Sequence, residues 1–321
     1  MLDGLRALAI GLVLWQHSAL PGLGRSGTVG VTLFFVLSGF LITRLLAEER
    51  ATTGRISLRA FYWRRGLRLF PALALLLAAM AVLGVNVIPT LLYAADFAMA
   101  AGQDLGPLDH TWSLAVEEQF YLVWPVLLII LLRLPRRHAL TLVAALALAS
   151  AVARILLWPE GLRASWAPDT RADALLVGAL LGLIQLPRIR PVLLALASVA
   201  LAIPTLVDDH GFMMQFGLPL ATLGSAVLVA AAAGSERSPW RPILTLGIIS
   251  YGVYLWSGPF LSWGRDIGPE AAVLTIPATI IVAALSYHFV ERPFLRLKQH
   301  SPLRRAVDVA NQPPLVEVGR G

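Results

Sequence analysis

The sequence predicts an all-α polytopic membrane helix bundle of about ten transmembrane helices, with both termini cytoplasmic. Three observations predict it. Hydrophobic residues make up 57% of the chain and charged residues 14%, where a soluble domain carries about a quarter charged, and mean hydropathy is +0.73. The apolar residues are gathered in runs of roughly 17–22, the length a helix needs to cross about 30 Å of hydrocarbon. The basic residues fall between those runs, and mostly on alternate sides.

Ten spans can be drawn in order: 5–21, 29–46, 70–88, 114–132, 139–157, 172–186, 192–207, 212–233, 243–263 and 271–290. The first carries Arg6 and is interrupted by His17. The third starts beside Pro71, after an arginine-rich stretch read as a loop. The long connection 89–113 leaves room for a half-helix or interfacial piece over Thr90–Ala101. The fourth opens just before Glu117 and Glu118, and the fifth comes after Arg136 and Arg137. Residues 1–297 read as one transmembrane domain, and 298–321 as a basic, disordered cytoplasmic tail.

Charge supports this map. With the N-terminus inside, the inner loops hold Arg44, Arg50, Arg55, Arg59, Arg64, Arg65, Arg68, Arg133, Arg136, Arg137, Arg188, Arg190, Arg237 and Arg241. The tail adds Arg292, Arg296, Lys298, Arg304, Arg305 and Arg320. Outside lie Arg25, Arg154, Arg163, Arg171 and Arg265. Such an excess on one side is the positive-inside pattern. The net charge of +7 is therefore topology rather than a nucleic-acid footprint. A cleaved signal peptide fits poorly, because His17 breaks the apolar run and no small-residue cleavage site comes after it.

Several chemistries are excluded. There is no cysteine, hence no disulfide, thiolate nucleophile or cysteine-ligated metal. The histidines at 17, 110, 138, 210, 288 and 300 show no close metal-ligand spacing, so no metal site is expected.

Ionisable residues inside spans carry the functional argument, because burying them in a bilayer is costly. Arg6 and His17 are eleven residues apart, close to three helical turns, and share a face about 16 Å apart. They read as functional groups or, alternatively, as an interface anchor and a packing residue. Arg64, Arg65 and Arg68 cluster in Phe61-Tyr-Trp-Arg-Arg-Gly-Leu-Arg-Leu-Phe-Pro71; guanidinium forks suit phosphate oxygens, and positive-inside anchoring is the plainer reading. Glu117 and Glu118 serve catalysis or buried ion pairing, or else complement the dipole at a helix start. Glu117 lies one turn from Tyr121.

Ser38-Gly39 reads first as close helix packing, and so do Gly178 and Gly182. Asp173 is a partner for an arginine. Ser250, Tyr254 and Ser257 form a polar stripe on one helix face. His288 and Glu291 are spaced to pair, though interface anchoring explains them equally well. Gly247-Ile-Ile-Ser250-Tyr-Gly252 is not a serine-hydrolase elbow.

In order, these segments resemble the acyltransferase 3 family of membrane-bound acyltransferases. The matching pieces are Leu2-Asp-Gly-Leu-Arg6 with His17 beyond it, and Gly30-Val-Thr-Leu-Phe-Phe-Val-Leu-Ser-Gly-Phe-Leu-Ile-Thr43. Phe61 to Pro71, Thr111-Trp-Ser-Leu-Ala-Val-Glu-Glu-Gln-Phe-Tyr-Leu-Val-Trp-Pro125, Ser250-Tyr-Gly-Val-Tyr-Leu-Trp256 and Val290-Glu-Arg-Pro-Phe294 complete the set. The resemblance implies a ten-helix enzyme that moves an acyl group, commonly acetyl, from acyl-coenzyme A to a hydroxyl. The acceptor would be a carbohydrate, a lipid-linked sugar or a secondary metabolite, and the setting a bacterial plasma membrane.

It places the first-helix pair on Arg6 and His17 and the R-x-x-R element on Arg65 and Arg68. His17 would act as general base, Arg6 would stabilise developing charge, and Glu117 would join the catalytic set. Arg64, Arg65 and Arg68 would hold the phosphates of the donor. Ser38, Trp112, Glu118, Tyr121, Asp173 and Tyr254 would line or support the pocket. Where the family often has Tyr-Leu-Trp-His-x-Pro, this chain has Tyr254-Leu-Trp-Ser257-Gly-Pro259, so His17 would act without that second histidine. The resemblance is to the form without an appended extracytoplasmic domain. The rival reading is a transporter or flippase with Arg, His and Glu along a solute or proton path. A purely structural membrane protein is the third.

Overall fold

The computed structural model describes residues 1–18, 22–235 and 238–297, and within them it is helical, with no strand. The helices are α1 (Leu2–His17), α2 (Ser26–Thr53), α3 (Leu58–Val82), α4 (Ile88–Leu91), α5 (Ala95–Ala100), α6 (Trp112–Leu131), α7 (Arg136–Leu157), α8 (Arg163–Trp166), α9 (Pro168–Leu183) and α10 (Pro191–Leu206). After them come α11 (His210–Phe212), which runs through a π-helical turn into α12 (Leu218–Ala233), then α13 (Arg241–Ile248), α14 (Ser250–Ile267) and α15 (Pro269–Ser286). A second π-helical turn, Tyr287–Glu291, joins α15 to α16 (Arg292–Leu297).

Six helical stretches are long and apolar enough to cross a membrane: Ser26–Thr53, Leu58–Val82, Gly106–Leu131, Arg136–Leu157, His210–Ala233 and Val273–Leu297. α13 and α14 add a seventh if the pair, bent by 70°, counts as one span. The other three expected spans correspond to α1, α9 and α10, each of 16 residues, which is about 24 Å of helix. Long apolar side chains such as Leu122, Leu148, Leu156, Val192 and Leu274 point outward, as lipid-facing positions require. The basic tail and Arg237 lie outside the described residues.

The stretch read as a loop before Pro71 is helix. Ser57 caps α3, its hydroxyl oxygen accepting from the Ala60 N–H at 3.3 Å, and Leu58-Arg-Ala-Phe continues it with good helix formers. Pro71 sits inside α3 rather than at its start. It removes one backbone donor, and the neighbouring turns carry the helix through. Arg65 and Arg68 therefore share one helical face, and Arg64 is turned about 100° away from Arg65.

The bundle is held by close backbone approaches. α2 crosses α9 so tightly that a Cβ on Gly39 would lie 1.9 Å from the Leu175 carbonyl oxygen, and one on Gly178 2.1 Å from that of Val36. Small residues let helices approach in this way where water supplies no hydrophobic drive. Gly178→Leu is expected to cost about 3 kcal/mol or more through overpacking. Gly11→Ala, in the interior of α1 where nothing lies within 4 Å of the added carbon, should stabilise by about 0.5–1 kcal/mol. Melting temperatures of both variants in one detergent check this.

α1 and α2 run antiparallel in a register that positions the site. The Gln16 side-chain oxygen accepts from the N–H groups of Gly27 and Thr28 at 2.8 and 3.3 Å. Gly30 packs on the Ala9 carbonyl. Continuing that register brings Ser38 beside Arg6. α13 and α14 line α1 along its length: Gly247 packs on the Asp3 backbone, and the Arg265 guanidinium donates to the His17 carbonyl at 2.8 Å. His17 and Arg6 thus stand at opposite ends of the first helix.

Candidate active site

A central cavity with about 830 Å³ of empty space lies between α1, α2, α3, α6 and α14. Arg6, Ser38, Arg65, Arg68, Glu117, Tyr121 and Tyr254 all line it, together with Ser113, Ser250 and Tyr251. Seven of the expected site residues, from five helices far apart in sequence, therefore face one space.

The charges inside are unequally matched. Arg6 is paired with Asp3, one turn back on α1. Arg65 reaches Glu118 at 2.9 and 3.3 Å, and its guanidinium lies 3.2 Å over the Tyr121 ring. Both neighbouring glutamates are thus engaged, on different sides of α6. Glu117 accepts from the Ser38 hydroxyl and from the Tyr121 hydroxyl at 3.1 Å. Arg68 makes no hydrogen bond or ion pair among the described residues, and its side chain stays accessible. Arg6, Arg65, Glu117 and Glu291 are charged groups that interact with it through space. The cavity therefore presents one guanidinium without a direct ion pair beside two that have one, a site open to an anion.

Their spacing sets Glu291 beside His288. The π-helical turn instead directs the two apart, leaving His288 exposed and Glu291 buried. One Glu291 oxygen has no hydrogen-bond partner, and the carboxylate interacts with Arg68 through space. A π turn inserts a residue and rotates the helix beyond it, and such turns recur at functional sites. Spacing alone gives no sign of it.

Other expected residues lie elsewhere. Arg64 pairs with Glu49 at 3.2 Å and does not line the cavity. Asp173 forms a buried ion pair with Arg154 at 2.7 Å, with Arg154 also donating to the carbonyls of Thr170 and Met214. Trp112 packs edge-on against Phe35 and Trp166, with Arg171 over its ring at 5.3 Å. These last two hold the end of the bundle far from the arginine-rich loops.

His17 is not in the cavity wall either. Eleven residues on from Arg6, it sits about 16 Å along the axis, with its Nδ1 buried and without a hydrogen bond. The group between it and the cavity is His110, to which the sequence assigns no role. The His110 Nε2 lies 3.1 Å from the Leu255 carbonyl, its ring is 5.3 Å from that of Tyr254, and His17 is within electrostatic reach of it. Tyr254 bonds to the His110 carbonyl and, at 2.6 Å, to the Ser113 hydroxyl; this closes the far end of the cavity. Ser257 spends its hydroxyl on the Tyr254 carbonyl at 2.8 Å.

The connection 83–111 folds back on α6. Gln119 donates to the Tyr93 carbonyl at 2.8 Å and to both Asp96 oxygens at 3.0 and 3.1 Å. Burial pushes the Asp96 carboxyl above its ordinary value, opposed by those amide contacts. Among the described residues no group of three or more His, Asp or Glu could hold a metal ion.

A family model described as an acyltransferase domain, of the acyltransferase 3 type, matches residues 1–289. A Bacillus subtilis protein named "Putative peptidoglycan O-acetyltransferase YrhL" is 32% identical over 91% of this chain and 54% of its own length. The "Peptidoglycan O-acetyltransferase OatA" of Listeria monocytogenes is 30% identical over 91% of this chain and 55% of its own. The chain spans about half the length of these curated relatives. No solved structure matches it.

Proposed function

The chain belongs to the acyltransferase 3 family, and from that premise we propose that it is a multi-pass membrane O-acetyltransferase. In this reading it moves an acetyl group from acetyl-coenzyme A to a hydroxyl of a cell-envelope glycan or lipid-linked sugar. The two relatives named as peptidoglycan O-acetyltransferases support acetyl transfer to a glycan hydroxyl. The family assignment favours an enzyme over the solute-path alternative.

The single observation that carries the donor is the layout of charge. An accessible, unpaired guanidinium, Arg68, stands between Arg6 and Arg65, whereas the imidazole of His17 is about three turns away. A donor that fits both must carry anionic phosphates at one end and a reactive carbonyl at the end of a long arm. An acyl-coenzyme A has that form. Its phosphates would engage Arg68 and compete for Arg65 and Arg6, and its arm would run past Ser113 and Tyr254. The hydrogen bond between those two residues must part to admit it.

At the far end the acceptor hydroxyl attacks the thioester carbonyl as His17 takes its proton, and coenzyme A leaves as the thiol once it regains one. A hydroxyl is too weak an acid to lose its proton first, so a neutral base in contact with it is required. Glu117 holds Ser38 and Tyr121 in the cavity wall and offsets the arginines. By the positive-inside pattern the donor site faces the cytoplasm and His17 the outer side of a bacterial plasma membrane.

Protein purified into nanodiscs and given acetyl-coenzyme A with a mixed panel of sugar and glycolipid acceptors is expected to release coenzyme A. The acetyl group should appear as an ester on an acceptor. Neither binding nor consumption of any acyl-coenzyme A would sink the reading.

A further inference from the structure

A second space borders the cavity on its lateral side. It holds about 610 Å³ between α3, α6 and the segment 92–93, and Tyr62, Arg65, Tyr93, Glu118, Gln119 and Tyr121 line it. Arg65 and Tyr121 line the central cavity as well. The partition between the two spaces is therefore one stacked guanidinium and its ion pair with Glu118.

The rim points to where the space opens. Leu92 and Leu122 border it and are 68% and 65% exposed. Val123, Val126 and Ile130 continue the exposed apolar face along α6. α6 lies within a stretch long and apolar enough to cross a membrane. A groove with this rim opens sideways, into the hydrocarbon, rather than to either aqueous face. Polar groups aimed at lipid are costly unless something polar meets them.

The groove is also built to stay in place. Tyr93 is the one non-glycine residue at positive φ among those described, at 51°, a conformation tyrosine seldom adopts. Its carbonyl is held by Gln119 at 2.8 Å. On the other side the Tyr62 hydroxyl donates to the Leu122 carbonyl at 2.8 Å. Strain of this kind, kept by surrounding bonds, marks a site rather than a loose loop.

We propose that this groove is a lateral portal through which a membrane lipid with a neutral, hydroxyl-bearing sugar headgroup brings its hydroxyl to the cavity. The chemistry of the lining selects that occupant. Arg65 is neutralised by Glu118, so the groove offers no free charge to an anionic headgroup. Tyr62, Tyr93 and Gln119 offer aromatic faces and amide groups, which suit sugar rings and hydroxyls. The apolar tail stays in the bilayer against Leu92 and Leu122. The role of the lipid as acceptor rests on the transferase reading, in which its hydroxyl travels on from the level of Arg65 toward His17; the portal itself does not.

The test uses the full chain in nanodiscs containing a diazirine-bearing glucosyl diacylglycerol, with diazirine-bearing phosphatidylcholine and phosphatidylglycerol in parallel. Acetyl-coenzyme A binding is measured on the same samples. The glucosyl probe is expected to label peptides containing Leu92 or Leu122 at least fivefold more than either phospholipid, and unlabelled glucosyl lipid should compete. Leu122→Trp, and separately Leu92→Trp, should cut that labelling at least fivefold while donor binding is kept. Equal labelling by all three probes, preference for phosphatidylglycerol, or labelling unchanged in both tryptophan variants that still bind donor would overturn the portal. Selective labelling in protein that never binds or consumes donor would uphold the portal and count against the transferase.

Discussion

Arg68→Ala is expected to weaken acetyl-coenzyme A binding and lower kcat/KM roughly 100- to 1000-fold. A hydrogen bond to a charged group contributes about 1.5–3 kcal/mol, and a guanidinium places two on one phosphate. The effect should be large at this position because Arg68 alone among the cavity arginines has no partner to satisfy first. Removing Arg65 would also strand Glu118 and confound binding with folding. Arg68→Lys should recover part of the loss, since the charge remains and the planar fork does not. Arg64→Ala should stay within about threefold, because that side chain is tied to Glu49 outside the cavity. Calorimetry with acetyl-coenzyme A and its acyl-free thiol reads these effects without relying on turnover. Equal losses at Arg64 and Arg68 would point to general membrane-surface charge and remove the donor site.

The contrast between these two arginines measures how far the sequence can be read. Composition, run lengths and the side preference of arginine predict an apolar helical chain, because hydropathy acts residue by residue and needs no tertiary information. Helix limits are harder. Pro71 draws the start of the third span to residue 70, whereas Ser57 and the residues after it start α3 twelve residues earlier. That shift turns a loop cluster into a helix on which Arg64 and Arg65 diverge by about 100°, and the ion pair with Glu49 draws Arg64 away from the cavity that Arg65 and Arg68 line. The count of spans is similarly hard to read: sixteen-residue helices such as α9 and α10 look like spans in a hydropathy window, while among the described residues six stretches have the length, or seven with the bent α13–α14 pair.

The site is legible to the extent that costly residues advertise themselves. Arg6, Arg65, Arg68 and Glu117 are expensive in a membrane and do converge. Pairing across the bundle is not legible. Ser38 looks like a packing residue because Gly39 is one, yet on the helix the two face different ways. Gly39 meets α9, and Ser38 meets Glu117. Asp173 does pair with an arginine, but its partner is Arg154 and the pair supports the far end of the bundle. Glu291 depends on a π turn, Tyr93 on a positive φ, and His110 on contact with a helix 145 residues away. No local pattern encodes those.

His17→Ala is expected to lower acetyl transfer by roughly 100- to 10,000-fold, the range that a positioned general base contributes, while donor affinity stays within about twofold. The separation comes from geometry. His17 is about 16 Å from Arg6 along α1, too far to touch phosphates held at the arginines, so its loss should appear in kcat and leave binding alone. Its Nδ1 is buried and makes no hydrogen bond. Added imidazole should restore part of the rate in His17→Ala, because a free ring can occupy the half-buried position the side chain vacates. Glu117 is the competing base, since it already accepts protons in hydrogen bonds from two cavity hydroxyls. The two candidates predict opposite results. If Glu117→Gln abolishes turnover with binding intact and His17→Ala keeps its rate, transfer occurs in the cavity itself and the acceptor must travel to the level of Arg6. If His17→Ala is the dead variant, the acetyl group is delivered three turns further out, and the length of the donor's arm sets where the reaction takes place.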